Sequence, residues 1–262
     1  MTTIYFFSGT GNTLWSARQL AAQLGARIGE PCELRSIGVE ARAGRYAVSA
    51  DAVVFLFPAY AYEPPPLVTR FIKKCRIDAP YAAALVTFGS SPGGSLARVQ
   101  GLLRKKRIPS LYFGRVPTVE NYIAIFGPPT EAKLRDRGAM QTRATEEAAC
   151  AIAQRRVNKV PAFRPLSFVA FLFSAARRIF YHWYRVSKKT CTGCGICAKV
   201  CPVGAIRMHK GRPRFSAACE HCQGCLNWCP NNAINFGRIN ARTPRYHHPG
   251  VSLKEMLDAA GT

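Results

Sequence analysis

Two stretches near the end of this chain carry the same cysteine spacing. One reads "CTGCGICAKVCPVGAI" over residues 191 to 206, and the other reads "CEHCQGCLNWCPNNAI" over residues 219 to 234. With an offset of 28 residues the cysteines, the proline and the closing Ala-Ile coincide, so the segment is an internal duplication of C-x2-C-x2-C-x3-C-P. Three cysteines at two-residue gaps wrap a tight loop around one metal centre, while the cysteine before the proline leaves that loop. The repeat therefore predicts two linked metal centres.

This spacing resembles that of bacterial ferredoxins, in which the fourth cysteine of each repeat ligates the cluster of the other repeat. The resemblance implies two 4Fe-4S clusters with crossed ligand sets. These sets are Cys191, Cys194, Cys197 and Cys229 for one cluster, and Cys219, Cys222, Cys225 and Cys201 for the other. Zinc is the alternative, because two C-x2-C pairs can form a zinc site. A third cysteine at the same gap and the Cys-Pro pair are surplus to a tetrahedral ion, which makes zinc the weaker interpretation.

A second motif, "SGTGNT" at residues 8 to 13, follows the apolar run "TIYFF" at residues 3 to 7. It is not a Walker A loop, because no Gly-Lys-Ser/Thr follows, and it lacks the third glycine of a dinucleotide-binding fingerprint. Hydroxyl and amide donors, an open backbone and the N-terminus of a following helix predict a site for a terminal monophosphate. An ordinary strand-to-helix turn with an Asn or Thr cap is the alternative. The residues of this predicted site are Ser8, Gly9, Thr10, Gly11, Asn12 and Thr13.

The first 150 residues alternate apolar runs with helical patterns. Continuous apolar runs predict strands at residues 3–7, 51–57, 82–88 and 110–116, as expected of strands buried on both faces of a parallel sheet. Between and after them, helical patterns cover residues 14–24, 67–74, 95–105 and 131–157. This alternation predicts a doubly wound α/β layer with ligand loops at the carboxyl ends of the strands.

The loop at residues 8 to 13 resembles the FMN phosphate loop of flavodoxins. Together with the cysteine repeat, it makes residues 1 to 237 resemble the flavodoxin-ferredoxin fusion proteins sometimes called ferrodoxins. Two further stretches, "FPAYAYEPPPLVTRFI" from residue 57 and "TFGSSPGG" from residue 87, are similar to the second and third flavodoxin loops. The resemblance implies that Pro58, Ala59 and Tyr60 line the isoalloxazine ring, that Gly89 closes over it, and that Asn121 lies nearby.

The implied architecture is a flavodoxin-like parallel sheet followed by a small α+β ferredoxin-like domain with two clusters. The predicted divisions are a flavodoxin-like FMN-binding domain at 1–157, an aromatic and basic linker with a helix at 158–187, the two-cluster 4Fe-4S domain at 188–237, and a tail with a short helix at 238–262. The apolar stretch at 165–176 is too short to span a bilayer. Two adjacent histidines at 247 and 248 lie in a proline-rich loop of the tail, where we expect exposure.

The formal net charge of +23 is unevenly distributed. Residues 1–150 carry 19 Lys and Arg against 11 acids, and residues 151–262 carry 18 against 3. This excess predicts an anionic partner, and an acidic redox protein (a ferredoxin, a flavodoxin or an oxidoreductase) fits the cofactors. Peripheral contact with an acidic membrane surface stays open. A nucleic-acid-binding redox sensor is not favoured, because no groove-reading module is apparent.

A strand-like run that begins at residue 3 leaves no room for a signal peptide, so we expect a cytoplasmic protein with reduced thiols. No acid-base or nucleophilic constellation of side chains is visible. The sequence therefore favours an electron carrier that passes electrons between FMN and the clusters and on to a partner protein. The alternative is an enzyme, a flavin-dependent reductase of a quinone or nitro compound that the clusters supply with electrons.

Overall fold

The computed structural model describes residues 1–161, 179–237, 239 and 242–262. Its N-terminal part contains β1 (Thr2–Phe6), β2 (Cys32–Ser36), β3 (Ala47–Ser49), β4 (Ala52–Pro58), β5 (Arg76–Asp78), β6 (Tyr81–Phe88) and β7 (Ser110–Pro117). Five of these strands form one parallel sheet in the order β2-β1-β4-β6-β7. The strands predicted from the four apolar runs are confirmed to within a residue or two at each end. The short strands β3 and β5 pair separately.

Helices cover both faces of this sheet. They are α1 (Asn12–Ile28), α2 (Ile37–Arg42), α3 (Pro66–Lys74), α4 (Ser95–Arg104), α5 (Ile123–Phe126) and α6 (Glu131–Ala153). Alternate strand residues point to opposite faces, so Tyr5 and Phe55 pack towards α3 while Ile4 and Leu56 pack towards α1. The last helix ends at Ala153, short of the predicted 157, because Arg155 adopts a left-handed conformation with a φ of 52°.

The strand order identifies the fold class. Taken in chain order, the five strands of the large sheet lie in the order 2-1-3-4-5, which is the flavodoxin-like arrangement of a doubly wound sheet. This confirms the fold expected for the N-terminal part. The order reverses between β1 and β4, and ligands of such sheets bind at the carboxyl ends of the strands next to this point. The loops after β1 and β4 therefore face one site.

The C-terminal part is small and mostly irregular. After a 3-10 turn at Tyr181–Trp183 it contains β8 (Tyr184–Val186), α7 (Ile196–Lys199), β9 (Ile206–His209), β10 (Arg212–Phe215), α8 (Gly224–Asn227), β11 (Ile234–Phe236) and α9 (Leu253–Ala260). β9 and β10 form an antiparallel hairpin, and β8, within the predicted linker, pairs with β11. A separate core gathers the cysteine loops around Tyr184, Leu226 and Phe236. This agrees with the expected small α+β domain, whereas the domain boundaries stay a prediction.

The two parts share a packed interface. Val200, Trp228 and Met256 join the apolar cluster of α1 and α6 on one face of the large sheet. On α2, the Arg42 guanidinium donates a hydrogen bond to the carbonyl of Pro202 at 2.8 Å. A Cβ on Gly38 would lie 2.3 Å from that same carbonyl oxygen, so only glycine allows this approach. The cysteine repeat is therefore in direct contact with the sheet domain.

No helix among the described residues is long and apolar enough to cross a membrane. The apolar stretch 165–176, and with it the helix predicted in the linker, lies outside the described residues.

Candidate functional site

The loop between β1 and α1 forms the floor of a narrow cavity. Ser8, Thr10, Asn12 and Thr13 are all buried. Gly11 precedes the helix with a φ of 94°, a left-handed conformation that glycine adopts without strain. The first N–H groups of a helix have no partner within it and carry the positive end of its dipole. The loop thus presents buried donors and a positive helix end to one small volume.

The hydroxyl of Ser8 is the clearest mark of a ligand in this loop. Its Oγ is buried and has no hydrogen-bond partner among the described residues. A buried hydroxyl without a partner carries a desolvation penalty of roughly 1 to 3 kcal/mol. An anion with acceptor oxygens at this position would supply the missing partner, so the loop fits a phosphate group.

The cavity above the loop collects the residues predicted to bind flavin. All of them except Gly11 line it, together with Thr87, Thr118 and Glu120. The predicted residues that line it are Ser8, Gly9, Thr10, Asn12, Thr13, Pro58, Ala59, Tyr60, Gly89 and Asn121. Gly11 contributes the turn rather than a cavity wall.

A wider cavity of about 330 Å³ adjoins this one. Ala59, Tyr60, Gly89 and Asn121 line both, so the two form one elongated site. Its walls come from the loops after β4, β6 and β7. A wide apolar end and a narrow polar end match a planar ring system joined to a phosphate.

The loop after β4 is held in an unusual conformation. Ala61 and Tyr62 both have positive φ angles, of 48° and 68°, which are uncommon for residues other than glycine. Backbone hydrogen bonds between Tyr60 and Glu63 close the turn, and a Cβ on Gly93 would lie 2.3 Å from that of Tyr62. Consecutive positive φ angles in a loop that lines a cavity are typical of a ligand-binding site.

The C-terminal part completes the wide cavity. Glu220 and His221, which lie between two cysteines of the second repeat, line it opposite Tyr62. The buried Glu220 carboxylate accepts a hydrogen bond from the backbone N–H of Leu67 at 3.0 Å and faces Arg70. The second cysteine loop is therefore one wall of the cavity.

Contact between the second cysteine loop and the phosphate loop is very close. A Cβ on Gly9 would lie 2.6 Å from the carbonyl oxygen of Cys222 and 2.7 Å from its Cβ. The indole N–H of Trp228 donates a hydrogen bond to the carbonyl of Gly9 at 3.0 Å. Burial raises the pKa of Tyr60 well above its usual value, and Cys222, Glu220 and Cys219 add to the rise. Tyr60 is thus an uncharged side chain that lines the cavity close to this cysteine loop.

The tail of the chain crosses the phosphate loop from the other side. The hydroxyl of Tyr246 donates to the side-chain oxygen of Asn12 at 2.7 Å, and the N–H of His248 donates to the carbonyl of Thr10 at 2.8 Å. His248 is buried and stacks on Trp15 with ring centroids 5.0 Å apart. The expectation that both tail histidines are exposed is therefore wrong for His248, because its loop packs onto α1. Burial lowers its pKa to about 4.

The first group of cysteines surrounds a cavity of its own. Cys191, Cys194, Cys197 and Cys229 line it together with Met208 of the β9–β10 hairpin. Burial is the main cause that raises the pKa of Cys197 to about 12, and the other three cysteines contribute to the rise. Cys229 of the second repeat thus lies with three cysteines of the first repeat.

The second group combines three cysteines of the second repeat with one of the first. Burial raises the pKa of Cys225 well above its usual value, and Cys219, Cys222 and Cys201 add to this effect, followed by Cys197. Cys201 also raises the pKa of Cys222. Cys201 of the first repeat thus lies with three cysteines of the second. The thiols of Cys222 and Cys225 stay protonated unless a metal cation displaces the proton, because a coordinated thiol is deprotonated outright.

Backbone donors point at the sulfurs in both groups. The N–H of Ala205 donates to Sγ of Cys201 at 3.3 Å, and the N–H of Ala233 donates to Sγ of Cys229 at 3.2 Å. These two donors occupy equivalent positions in the repeat, four residues after the Cys-Pro cysteine. Hydrogen bonds to the sulfurs stabilise negative charge on thiolates and tune the potential of a cluster.

Among the described residues, no group of three or more His, Cys, Asp or Glu side chains has the arrangement of ligands to a single metal ion. The cluster assignment depends instead on the cysteine spacing and on the two crossed groups. A donor set of four thiols with backbone N–H groups around them fits an iron-sulfur cluster.

Comparisons with known proteins identify the cysteine-rich segment. The family model of the 4Fe-4S binding domain matches residues 184–207, which contain the first cysteine repeat. The polyferredoxin protein MvhB of Methanothermus fervidus is 37% identical over 57 residues, which are 21% of this chain and 13% of that protein's length. The C-terminal part therefore carries a 4Fe-4S binding domain.

Solved structures resemble the N-terminal part. The two-electron reduced flavodoxin of Megasphaera elsdenii superposes with a TM-score of 0.39 and 18% identity over 58% of this chain and 100% of its own. An azoreductase from Bacillus anthracis str. Sterne superposes with a TM-score of 0.38 and 11% identity over 59% of this chain and 100% of its own.

Several residues of the site were not predicted from the sequence. Trp228, Tyr246 and His248 contact the phosphate loop, and Glu120 and Glu220 line the wide cavity. Only Trp228 carried a sequence signal, since it lies directly before the last cysteine of the second repeat, where the first repeat has Val200. The tail residues carried none.

Proposed function

We propose that this chain, a flavodoxin-like domain joined to a 4Fe-4S binding domain, is an electron-transfer protein that passes electrons between FMN and two 4Fe-4S clusters and on to a redox partner protein. The observation that carries the proposal is the contact between Gly9 and Cys222. The phosphate loop and the second cysteine group touch, so the two cofactor sites adjoin. The cytoplasmic location expected from the sequence stays a prediction.

The flavin would be held by the elongated site. Ser8, Thr10, Asn12 and Thr13, with Gly9, Gly11 and the positive end of α1, would bind the phosphate. The loops that carry Pro58, Ala59, Tyr60, Gly89 and Asn121 would bind the ring. The partnerless Ser8 hydroxyl supports the first assignment, and the apolar wide cavity supports the second.

The clusters would be held by the crossed cysteine groups. Cys191, Cys194, Cys197 and Cys229 would bind one, and Cys219, Cys222, Cys225 and Cys201 would bind the other. The cavity that Cys191, Cys194, Cys197 and Cys229 line together supports this division.

A bound flavin supplies two-electron chemistry and each cluster passes one electron at a time, so their combination in one chain can split or merge electron pairs. The residues of this chain hold the second cysteine group against the flavin cavity. Trp228 donates a hydrogen bond to the carbonyl of Gly9, and Tyr60 lines both parts of the elongated site close to Cys222.

The test is a cofactor count followed by a reductive titration. Protein purified without oxygen should contain about eight iron atoms and eight sulfides per FMN, as two cubane clusters require. Titration with dithionite should produce electron paramagnetic resonance signals of reduced clusters together with bleaching of the flavin absorbance. Colourless protein that contains zinc after oxygen-free preparation would contradict the proposal.

One observation favours a second candidate function, reduction of a small molecule at the flavin. Three large apolar side chains are exposed at the mouth of the wide cavity: Tyr62 is 38% exposed, Ile125 67% and Phe126 57%. Such a rim could admit a planar quinone. Steady turnover of a quinone faster than reduction of an acceptor protein would favour the enzyme over the carrier.

A further inference from the structure

The β9–β10 hairpin has one apolar face and one basic face. Its strands pair Arg207 with Arg214, Met208 with Pro213 and His209 with Arg212. Because side chains alternate along a strand, the residues sort by face. The apolar face carries Ile206, Met208, Pro213 and Phe215, and the opposite face carries Arg207, His209, Arg212 and Arg214. No acidic residue balances the basic face within the hairpin.

This hairpin covers the first cysteine group. Met208 and Pro213 of its apolar face line the cavity that Cys191, Cys194, Cys197 and Cys229 surround. At its turn, the carbonyl oxygen of Gly211 would lie 2.8 Å from a Cβ on Gly193, so the backbones touch. Cys194 is exposed beside it. The basic face therefore forms the outer surface next to the cysteine group that lies away from the flavin cavity.

The positive charge around this group has no internal counter-charge. Residues 179 to 219 contain eight Lys and Arg and no Asp or Glu. None of these eight forms an ion pair with a described residue. Two of them, Arg207 and Arg214, lie directly opposite each other on the hairpin, and like charges in that arrangement destabilise a strand pair. An anionic surface docked on the hairpin would relieve this repulsion.

We propose that the basic face of the hairpin docks an acidic protein whose redox centre exchanges one electron with the cluster of Cys191, Cys194, Cys197 and Cys229. This proposal rests on the proposed function and adds to it the surface where the partner docks and the sign of the partner's charge. In the reductive direction, the partner loses one electron and the cluster gains it, with no bond made or broken. An acidic protein fits better than a nucleic acid, because the surface adjoins a redox centre and a phosphate backbone has no electron to exchange.

The test compares two equal charge reversals in the full chain. Arg207→Glu removes the repulsion with Arg214 and creates a cross-strand ion pair, so the melting temperature should not fall. Arg104→Glu is the matched control: Arg104 is exposed at the C-terminal end of α4, which runs from the carboxyl ends of the strands, where the cavities lie, towards their amino ends. The probe is an oxidised plant-type ferredoxin, a strongly acidic protein, and its binding is measured by calorimetry at low and at moderate salt.

We expect Arg207→Glu to weaken binding of the ferredoxin by about ten-fold at low salt, and Arg104→Glu by less than about two-fold. Binding by the unmodified chain should weaken steeply as salt rises. Equal effects of the two reversals, or salt-independent binding, would overturn the docking site. Tighter binding of duplex DNA than of ferredoxin, with the same dependence on Arg207, would overturn the protein partner. If instead the docking proposal survives but dithionite reduces no cluster, the failure lies in the proposed function.

Discussion

The two cysteine repeats have the same spacing and different surroundings. In the first, Thr192 and Lys199 are exposed, Val200 is the one fully buried residue between the cysteines, and Lys199 is the only charged one. In the second, the equivalent stretch contains Glu220, His221, Gln223, Asn227 and Trp228, all of them buried. The first repeat touches the sheet domain through Val200 and Pro202, but its exposed Cys194 lies beside a basic hairpin. The second repeat is packed against the phosphate loop.

The intervening residues of the second repeat account for this difference. The Gln223 amide donates to the hydroxyl of Tyr184 at 3.0 Å, and the Asn227 side-chain oxygen accepts from the N–H of Tyr246 at 2.9 Å. At the positions of Gln223 and Asn227 the first repeat has Gly195 and Lys199, which cannot make these contacts. The cysteines therefore specify the kind of cofactor, whereas the residues between them specify where it lies. We expect the second cluster to exchange electrons with the flavin inside the molecule and the first to exchange them with the partner protein at the surface.

The largest expected effect comes from exchanging one cysteine for serine across the two groups. Cys201→Ser lies in the first repeat but should destroy the second cluster, removing about half of the iron, because the ligand sets are crossed. Since that cluster adjoins Gly9, flavin should be lost as well. Cys229→Ser is the matched control and should remove a similar amount of iron while the flavin is retained. Iron, sulfide and flavin counts measure the loss of cluster and of flavin in each variant. Equal loss of flavin in the two variants would contradict the different positions of the two clusters relative to the flavin.

Acid should affect the flavin side of the molecule before the outer side. His248 is buried and neutral, with its Nδ1 accepting from the N–H of Gly250, and burial lowers its pKa from 6.5 to about 4, with His247 adding to the effect. The unfolded chain binds a proton below pH 6.5 and the folded chain does not, so stability falls as the pH decreases from 6.5 towards 4. The full effect is about 3 kcal/mol.

The measurement is the free energy of unfolding by denaturant from pH 7 to pH 4. His248→Gln should flatten the profile, because it removes the group that titrates. His247→Gln is the control: its ring stacks on Trp228 at the surface, and the slope should persist. A profile that is unchanged in His248→Gln would show that another group produces the acid sensitivity.

Two glycines that each touch a neighbouring backbone allow the two repeats to be perturbed separately. Gly9→Ala would force its Cβ against the backbone of Cys222, at a cost of about 2 kcal/mol, and should weaken flavin binding. Gly193→Ala would press on Gly211 at the outer hairpin and should leave flavin binding unchanged while it loosens the first cluster. Flavin titrations and iron release with a chelator measure the two effects. Flavin loss from Gly193→Ala would mean that the regions are coupled.

Much of the fold could be predicted from the sequence, because buried strands carry continuous apolar runs. The strand β2 could not: its sequence "CELRS" alternates polar residues, and all five side chains are half-buried at the edge of the sheet. Edge strands expose one side to solvent and so lack the apolar run that identifies central strands. The parallel partner of β1 on that side became visible only in the structure.

The composition of the flavin loops could be predicted from a family resemblance, whereas the contacts that hold them could not. Trp228 and Gly9 are 219 residues apart in sequence, and Tyr246 and Asn12 are 234 apart. No local pattern encodes such a pairing, because it depends on how the C-terminal part packs against the sheet. The burial of His248 has the same origin: its own sequence is typical of an exposed loop, and Trp15 provides the surface that covers it.

The smallest expected effect concerns the tail. Tyr246→Phe keeps the buried ring but removes the hydroxyl that donates to Asn12, leaving a buried amide oxygen without this partner. The loss should amount to about 1 kcal/mol and should leave the Asn12 side chain less firmly held in the phosphate loop, so the dissociation constant for FMN should rise roughly five-fold to ten-fold. Fluorescence titration of the flavin measures it. Tyr112→Phe, on β7 and outside both cavities, is the control and should bind FMN as the unmodified chain does. The substitution removes only the hydroxyl and leaves the ring of Tyr246 and its N–H bond to Asn227 of the second repeat in place, so iron content should stay the same in both variants. Iron loss in Tyr246→Phe would mean that the hydroxyl contact with Asn12 supports the clusters.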